Sequence, residues 1–172
     1  HDGMRSGRRF VDVGSGCGRL VFAAAVLQPS LSRCVGVEKV AGLHDLACEA
    51  ASTSPLPAGS PPCEFLCGDA FEFLGTPPPY SLAAPDCIFI YSSAFPSAGD
   101  TLTDASLAFS MLPAGTRIIT TDKRLGSDEA GRWEFQLLKE LDGPNAETGG
   151  TSTGYIWEVR RDVRTGIQCA SS

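Results

Sequence analysis

The residues of this chain with the clearest chemical potential are three glycines that follow a short apolar stretch. Residues 10–18 read Phe-Val-Asp-Val-Gly-Ser-Gly-Cys-Gly, so that Gly14, Gly16 and Gly18 alternate after the apolar residues. Glycines in this arrangement permit a tight turn and let a ligand approach the backbone near the start of a helix. The pattern predicts a strand, a nucleotide-cofactor loop and a helix, in that order.

The residue after the last glycine distinguishes between two kinds of nucleotide site. A dinucleotide site has a small residue at the position where this chain has Arg19. The observed pattern is instead Asp-x-Gly-x-Gly-x-Gly, with Asp12 at the end of the predicted strand. Arg19 therefore argues against a dinucleotide, and a purely structural turn is the remaining alternative to a cofactor loop.

An acidic residue lies at the distance from the loop that a nucleotide site requires. Residues 33–37 form a second apolar run, and Glu38 follows it, 20 residues after Gly18. In a nucleotide-binding β-α-β unit, an acid at this distance stands at the tip of the second strand, where it can accept hydrogen bonds from both ribose hydroxyls. A solvated charge at a strand end is the alternative interpretation.

The glycine loop resembles motif I of the Rossmann-like, class I S-adenosylmethionine-dependent methyltransferases, in which the loop wraps around the methionine end of the cofactor. The resemblance implies that S-adenosyl-L-methionine is the cofactor and that Asp69, after a third predicted strand, accepts a hydrogen bond from the adenine amino group. Phe71 then lies against the purine, although packing in the core explains it equally well. The residues expected to contact the cofactor are Asp12, Gly14, Ser15, Gly16, Gly18, Glu38, Lys39, Asp69, Ala70, Phe71 and Tyr91.

Residues 10–121 also resemble the DOT (disruptor of telomeric silencing) family, the non-SET histone-lysine methyltransferases. Residues 10–18, 36–39 and 68–69 match that family's glycine loop, Gly-Val/Ile-Glu tip and adenine-side acid. At the family's Asn-Asn-Phe-Ala-Phe signature, residues 91–95 read Tyr-Ser-Ser-Ala-Phe. The resemblance implies methylation of a protein lysine by direct displacement. The residues expected to line the channel or orient the acceptor are Tyr91, Ser92, Ser93 and Phe95, although capping of a strand end explains the two serines equally well.

Two other functions remain open for the same residues. In the first alternative, the domain methylates a small molecule or another protein side chain. In the second, it binds the cofactor as a scaffold without catalysis. The DOT family's upstream Tyr-Gly-Glu element is missing, and the sequence starts at His1 without Met. We therefore expect residues 1–172 to form a single domain that lacks an N-terminal substrate or lid region.

The apolar patterns predict an α/β fold with a Rossmann-like, doubly wound and mostly parallel sheet. The methyltransferase resemblance implies seven strands, the last two forming an antiparallel hairpin. A first helix is predicted at residues 19–28 and is expected to be buried on most sides. A second is predicted at residues 42–52, where Leu43, Leu46, Ala47 and Ala50 face the sheet. One face of a third helix is marked by Leu102, Ala105, Phe109 and Leu112. Strands are predicted at 10–13, 33–37, 63–67, 86–93, 116–121, 133–141 and 154–161, where 135–141 equally fits a helix.

Composition limits the partners. The chain has 172 residues, 42% hydrophobic and 20% charged, as is typical of one globular domain. A net charge of -6 disfavours strong nucleic-acid binding and permits a basic, lysine-containing protein substrate. Seven irregularly spaced cysteines predict reduced, mostly buried thiols in an intracellular, cytoplasmic or nuclear, protein without a metal site. No apolar run approaches the roughly 20 residues of a membrane span, and the oligomeric state stays open.

Overall fold

The computed structural model describes residues 8–73, 87–145 and 148–161. The strands are β1 (Arg9–Val13), β2 (Arg33–Glu38), β3 (Cys63–Cys67), β4 (Cys87–Ile90), β5 (Arg117–Thr121), β6 (Glu134–Pro144) and β7 (Thr151–Arg161). The helices are α1 (Arg19–Leu27), α2 (Ala41–Thr53), α3 (Ala70–Phe73) and α4 (Thr103–Phe109), and Ser92–Ala94 form a 3-10 turn. The predicted start of the fourth strand at Asp86 lies outside the described residues.

The strands form one seven-stranded sheet in the order β3-β2-β1-β4-β5-β7-β6. Strands β1 to β5 are parallel, whereas β7 pairs antiparallel with both β5 and β6. The strand order reverses direction beside β1, because the chain continues from β1 to β2 on one side and from β4 to β5 on the other. Sheets of this kind bind ligands at the carboxyl ends of the strands beside such a reversal. The predicted fold class is confirmed.

Both faces of the sheet are buried, and β1 contributes to both. Phe10 packs with Cys34, Cys87 and the α1 residues Val21 and Ala25. On the opposite face, the next residue of β1 belongs to a larger cluster. That cluster includes Val11, Ile88, Phe109, Leu112, Ile118 and Trp157. The alternation explains why β1 and β4 read as nearly continuous apolar runs.

The helices that cover the first face are less buried than predicted. In α1 only Val21, Ala24 and Ala25 are buried, and Leu27 is 73% exposed, so the expected burial on most sides is wrong. In α2 only Ala47 is buried, whereas the predicted inward residues Leu43 and Leu46 are exposed. The small side chain of Ala47 packs beside the glycine loop, and this close contact turns the leucines outward.

Strand β4 ends earlier than predicted. It stops at Ile90, and the chain turns at Ser92 instead of continuing as a strand to residue 93. The backbone N–H of Ser92 donates to Thr121 Oγ1 at 3.1 Å, and the backbone N–H of Thr121 donates to Ser92 Oγ at 3.1 Å. This reciprocal pair ties the end of β4 to the end of β5 and redirects the chain.

The C-terminal hairpin is confirmed, and β6 is a strand along its whole length. Phe135 of β6 and Val159 of β7 are buried against the larger core cluster. The indole N–H of Trp157 donates to Thr120 Oγ1 of β5 at 3.1 Å. These contacts, together with the pairing of β7 with β5, fasten the hairpin to the parallel part of the sheet.

The described cysteines are free thiols, but most of them are not buried. Cys34 and Cys87 are buried, Cys17 and Cys63 are half-buried, and Cys48 and Cys67 are exposed. The expectation of mostly buried thiols is therefore wrong for this part of the chain. Among the described residues, no group of three His, Cys, Asp or Glu side chains is arranged to hold a metal ion. The same residues include no helix that is long and apolar enough to cross a bilayer.

The packing at Gly18 yields a test of the fold. Gly18 has φ +81°, and a Cβ there would lie 2.6 Å from the ring of Phe65. At Gly59, with φ +88°, a Cβ would have no described atom within 4 Å. We expect Gly18→Ala to lower the free energy of unfolding by roughly 3 kcal/mol and Gly59→Ala by about 1 kcal/mol, because only Gly18 adds overpacking to backbone strain. Urea unfolding measures both, and equal losses would contradict the packing argument.

Candidate active site

A cleft of about 590 Å³ lies at the carboxyl ends of β1, β2 and β3 and beside the turn after β4. Its volume is within the range of roughly 300 to 1,000 Å³ that is usual for small-molecule sites. The predicted site residues that line it are Gly14, Gly16, Glu38, Lys39, Asp69, Ala70, Phe71 and Phe95. The structure thus brings together residues from four separate segments of the sequence.

The glycine loop is held against β2 by backbone hydrogen bonds. The N–H groups of Gly14 and Ser15 both donate to the carbonyl of Val37, at 2.9 and 3.1 Å. Gly16 has φ +55°, and a Cβ there would have no described atom within 4 Å. The loop therefore presents bare backbone to the cleft at Gly16, where a ligand can approach closely.

Glu38 connects the loop to the tip of β2. Its side chain is only 7% exposed. Oε2 accepts a hydrogen bond from the backbone N–H of Gly16 at 2.7 Å, and Oε1 accepts one from that of Val40 at 2.8 Å. A carboxylate offers about four acceptor positions, so Glu38 can still accept from two hydroxyl groups of a ligand. The spacing between Gly18 and Glu38 predicts that this carboxylate binds a ligand. It does not reveal that the same carboxylate also holds the glycine loop in place.

Asp12 is a buried carboxyl behind the loop. It is 4% exposed and does not line the cleft. Burial, and to a smaller extent the negative charge of Glu38, raise the pKa of Asp12 from 3.8 to about 7. A cation bound nearby would favour the ionised form of this carboxyl. Asp12 can therefore respond to a positively charged ligand without direct contact.

Asp69 and Lys39 form an ion pair where β2 and β3 end. Lys39 Nζ donates to Asp69 Oδ2 at 3.0 Å, and the backbone N–H of Phe71 donates to Asp69 Oδ1 at 3.0 Å. The hydrogen bond from Lys39 and then that from Phe71 lower the pKa of Asp69, and the same ion pair raises the pKa of Lys39. Asp69 is therefore an ionised, fixed acceptor at one end of the cleft.

Aromatic rings form one wall of the cleft. The ring centroid of Phe71 lies 5.8 Å from that of Phe95 and 6.0 Å from that of Phe109. The Phe95 ring packs close to Gly14, where a Cβ would lie 3.1 Å from it. The ammonium group of Lys123 donates to the carbonyl of Phe95 at 3.0 Å and holds this segment in place. The wall offers an apolar aromatic surface on which a purine can pack.

Of the four predicted acceptor residues, only Phe95 lines the cleft. Tyr91 is 37% exposed and Ser93 is exposed, and neither lines it. Ser92 is fully buried, and its hydroxyl accepts from the backbone N–H of Thr121. The early end of β4 turns this side chain toward β5 and away from the cleft, and the role of Ser92 in orienting an acceptor stays a prediction.

The predicted cofactor residues also divide into two groups. Asp12, Ser15, Gly18 and Tyr91 lie outside the lining of the cleft. The Ser15 hydroxyl is buried against Gly36 and has no hydrogen-bond partner among the described residues. Gly18 serves packing against Phe65. Asp12, Ser15 and Gly18 are buried within or next to the loop, whereas Tyr91 is exposed just after β4, so none of the four lines the cleft.

Several lining residues escaped the sequence analysis. Val40, Leu43 and Pro96 add apolar surface, and Asp104 adds a carboxylate from the first turn of α4. The available signal was topological, since helices that follow parallel strands begin at the same edge of the sheet as the loop. Asp104 stands at that edge because α4 follows β4.

Neither a family model nor a curated protein matches the sequence. The solved structures that share the fold include the following three. MtNAS in complex with MTA and tNA is 15% identical, with a TM-score of 0.60, and the match covers 90% of this chain and 54% of MtNAS. A SAM-dependent methyltransferase from Leishmania major is 17% identical, with a TM-score of 0.59, and the match covers 91% of this chain and 66% of that protein. The tRNA methyltransferase TrmK from Bacillus subtilis is 18% identical, with a TM-score of 0.60, and the match covers 96% of this chain and 65% of TrmK.

These similarities show the fold, a Rossmann-like and mostly parallel sheet that this chain shares with solved methyltransferases. The chain spans about half the length of MtNAS and about two thirds of the other two proteins. At identities below 20%, the shared feature is the architecture, including the strand ends at which the cleft lies. None of the three proteins is named as a protein-lysine methyltransferase.

The unpaired hydroxyl of Ser15 gives a stability prediction. A buried hydroxyl without a partner costs about 1 to 3 kcal/mol, so we expect Ser15→Ala to leave the free energy of unfolding unchanged or to raise it by about 1 kcal/mol. Thr120→Val is the matched control, because Thr120 Oγ1 donates to the Lys123 carbonyl and accepts from Trp157. Urea unfolding measures the free energy of unfolding of both variants. If Ser15→Ala lowers it as much as Thr120→Val does, the Ser15 hydroxyl is not an unpaired, destabilising group.

The buried carboxyl of Asp12 gives a pH prediction. Because its pKa is raised, the folded state keeps a proton that the unfolded chain releases above pH 3.8. The free energy of unfolding therefore falls as the pH rises from about 4 to about 7. The loss reaches roughly 4 kcal/mol once Asp12 has released its proton in the folded state as well. We expect Asp12→Asn to match the wild type near pH 4 and to be increasingly more stable up to pH 7.

Urea unfolding between pH 4 and pH 8.5 measures this difference. Asp45→Asn, at an exposed position of α2, controls for the loss of one carboxylate. A difference between Asp12→Asn and the wild type that stays constant over the whole range would show that Asp12 titrates normally.

Proposed function

We propose that this domain binds S-adenosyl-L-methionine in the cleft and transfers its methyl group to an acceptor. The observation that carries the proposal is the position of Glu38. Its buried carboxylate joins the glycine loop to the tip of β2 at the edge of the cleft. Both oxygens keep acceptor positions for a pair of vicinal hydroxyl groups, as in the ribose of a nucleoside.

The remaining lining residues fit the other parts of this cofactor. Gly16 offers open backbone for the methionine portion, and Gly14 lines the cleft beside the Phe95 ring. Asp12 is buried behind the loop with a raised pKa, and a cationic ligand nearby would favour its ionised form. Asp69 is an ionised acceptor for the adenine amino group, and Phe71 offers the purine an aromatic surface. When bound, the cofactor would supply a methyl group activated by a sulfonium for direct displacement.

The protein's own contribution to such a reaction is placement and exclusion of water. Phe71 and Phe95 form a continuous apolar wall, which Lys123 fixes through the Phe95 carbonyl. Holding two reactants in line can lower a barrier by roughly 7 to 11 kcal/mol in favourable systems. An amine acceptor must lose a proton before it attacks, and an apolar surrounding favours its neutral form. No covalent bond to the enzyme is required.

For the acceptor, we propose a lysine of a basic protein, as in the DOT family. The support is the sequence match at residues 10–18, 36–39 and 68–69, and at Ala94 and Phe95. The net charge of -6 and the lining carboxylates Glu38, Asp69 and Asp104 favour a basic segment over RNA. A small-molecule acceptor and a non-catalytic cofactor-binding role are the alternatives.

Calorimetry with S-adenosylhomocysteine tests the cofactor site. We expect Glu38→Gln and Asp69→Asn each to weaken binding by about 10-fold or more, because each removes a charge-assisted hydrogen bond. Glu49→Gln, at an exposed position of α2, is the matched control and keeps wild-type affinity. Thermal unfolding establishes that the variants are folded. Wild-type affinity in both site variants would rule out the proposed contacts.

Transfer of a labelled methyl group tests the acceptor. The protein is incubated with labelled cofactor and, separately, with core histones, with tRNA and with a small-molecule extract. We expect label on histone lysines, lost in Glu38→Gln. Label on tRNA or only on small molecules would replace the lysine proposal, and cofactor binding without transfer to any acceptor would favour the non-catalytic role.

A further inference from the structure

The ion pair between Lys39 and Asp69 lies inside the proposed adenine end of the cleft. The two residues meet because β2 and β3 are in register, with Glu38 opposite Cys67, and because the N–H of Gly68 donates to the carbonyl of Glu38 at 2.9 Å. Both side chains line the cleft. Their contact of 3.0 Å is therefore set by the sheet itself.

The Asp69 carboxylate is fixed at both oxygens. Lys39 holds Oδ2 and the backbone N–H of Phe71 holds Oδ1, so the plane of the carboxylate cannot rotate without losing one contact. The remaining acceptor positions then point in defined directions. A fixed anionic acceptor attracts a donor such as an amino group, and it repels another acceptor such as a ring carbonyl oxygen.

We propose that Lys39 is a positioning residue which, by fixing Asp69, makes the cleft select a purine with a 6-amino group over one with a 6-oxo group. The inference rests on the proposed function, because it assumes that the purine end of the cofactor lies beside Asp69. Lys39 acts here through Asp69, and its ammonium group does not need to contact the purine.

The surroundings of Lys39 support a role that depends on its charge. Glu72 of α3 adds a second negative charge near the ammonium group. Without Lys39, Asp69 and Glu72 would lie close together without this compensating cation, and Asp69 would keep only the Phe71 contact. The side chain of Lys39 is 75% exposed, so its removal leaves the core intact. An arginine can replace the charge and the hydrogen bond, whereas a methionine retains only the apolar stem.

The test compares the binding of S-adenosylhomocysteine and S-inosylhomocysteine by calorimetry. For the wild type we expect a preference for the adenosine form of about 10-fold or more. In Lys39→Met the preference falls by about 3-fold, through weaker binding of the adenosine form, and in Lys39→Arg it stays within about 2-fold of the wild type. Lys139→Met, on the exposed face of β6, is the control and keeps the full preference.

A double-mutant comparison shows whether Lys39 acts through Asp69. In an Asp69→Asn background, Lys39→Met should change neither affinity further, because the carboxylate that it positions is gone. An unchanged preference in Lys39→Met, or an equal loss in the Asp69→Asn background, would overturn the inference while leaving the cofactor site in place. A wild type that binds neither compound would instead overturn the proposed function, and this inference with it.

Discussion

The arrangement of the candidate site depends on one buried carboxylate, that of Glu38. Its two hydrogen bonds, to the backbone N–H groups of Gly16 and Val40, join the loop after β1 to the segment that leads into α2. The carbonyl of Val37 adds two further bonds to the same loop. Burying a charged group is costly unless it is hydrogen-bonded, and these two bonds stabilise the carboxylate at this place. The loop therefore takes its shape from β2, and the cleft exists because these two segments are fixed together.

The same arrangement carries costs in stability. Burial of Asp12, and to a smaller extent the negative charge of Glu38, raises the pKa of Asp12 to about 7, so that the ionised form is unfavourable there. The Ser15 hydroxyl is buried beside Gly36 without a described partner. Unfavourable groups of this kind cluster at ligand sites, where bound charge or hydrogen bonds can offset them. Both groups lie within or next to the loop that borders the cleft.

Much of the fold and half of the site could be predicted from the sequence, because local patterns encode them. The glycine loop and Glu38 follow from residue type and spacing alone, since the length of a β-α-β unit determines where the second strand ends. The orientation of α2 could not be predicted, because the contact of Ala47 beside the glycine loop decides which residues face inward. The burial of Ser92 was equally hidden, since its partner Thr121 lies 29 residues away.

The division between predicted and unpredicted residues has a physical basis that bears on the acceptor. Residues that follow one strand are local in sequence, so their contribution to the cofactor end of the cleft is readable. The opposite end is built from Phe95 and Pro96 together with Asp104, which arrives from the following helix. Because the Ser92 hydroxyl is bound to Thr121, the turn after β4 contributes an aromatic ring and apolar surface to the cleft. Under the proposed function, discrimination by charge at this end therefore falls to Asp104, whose carboxylate favours a basic acceptor over a phosphate-bearing one.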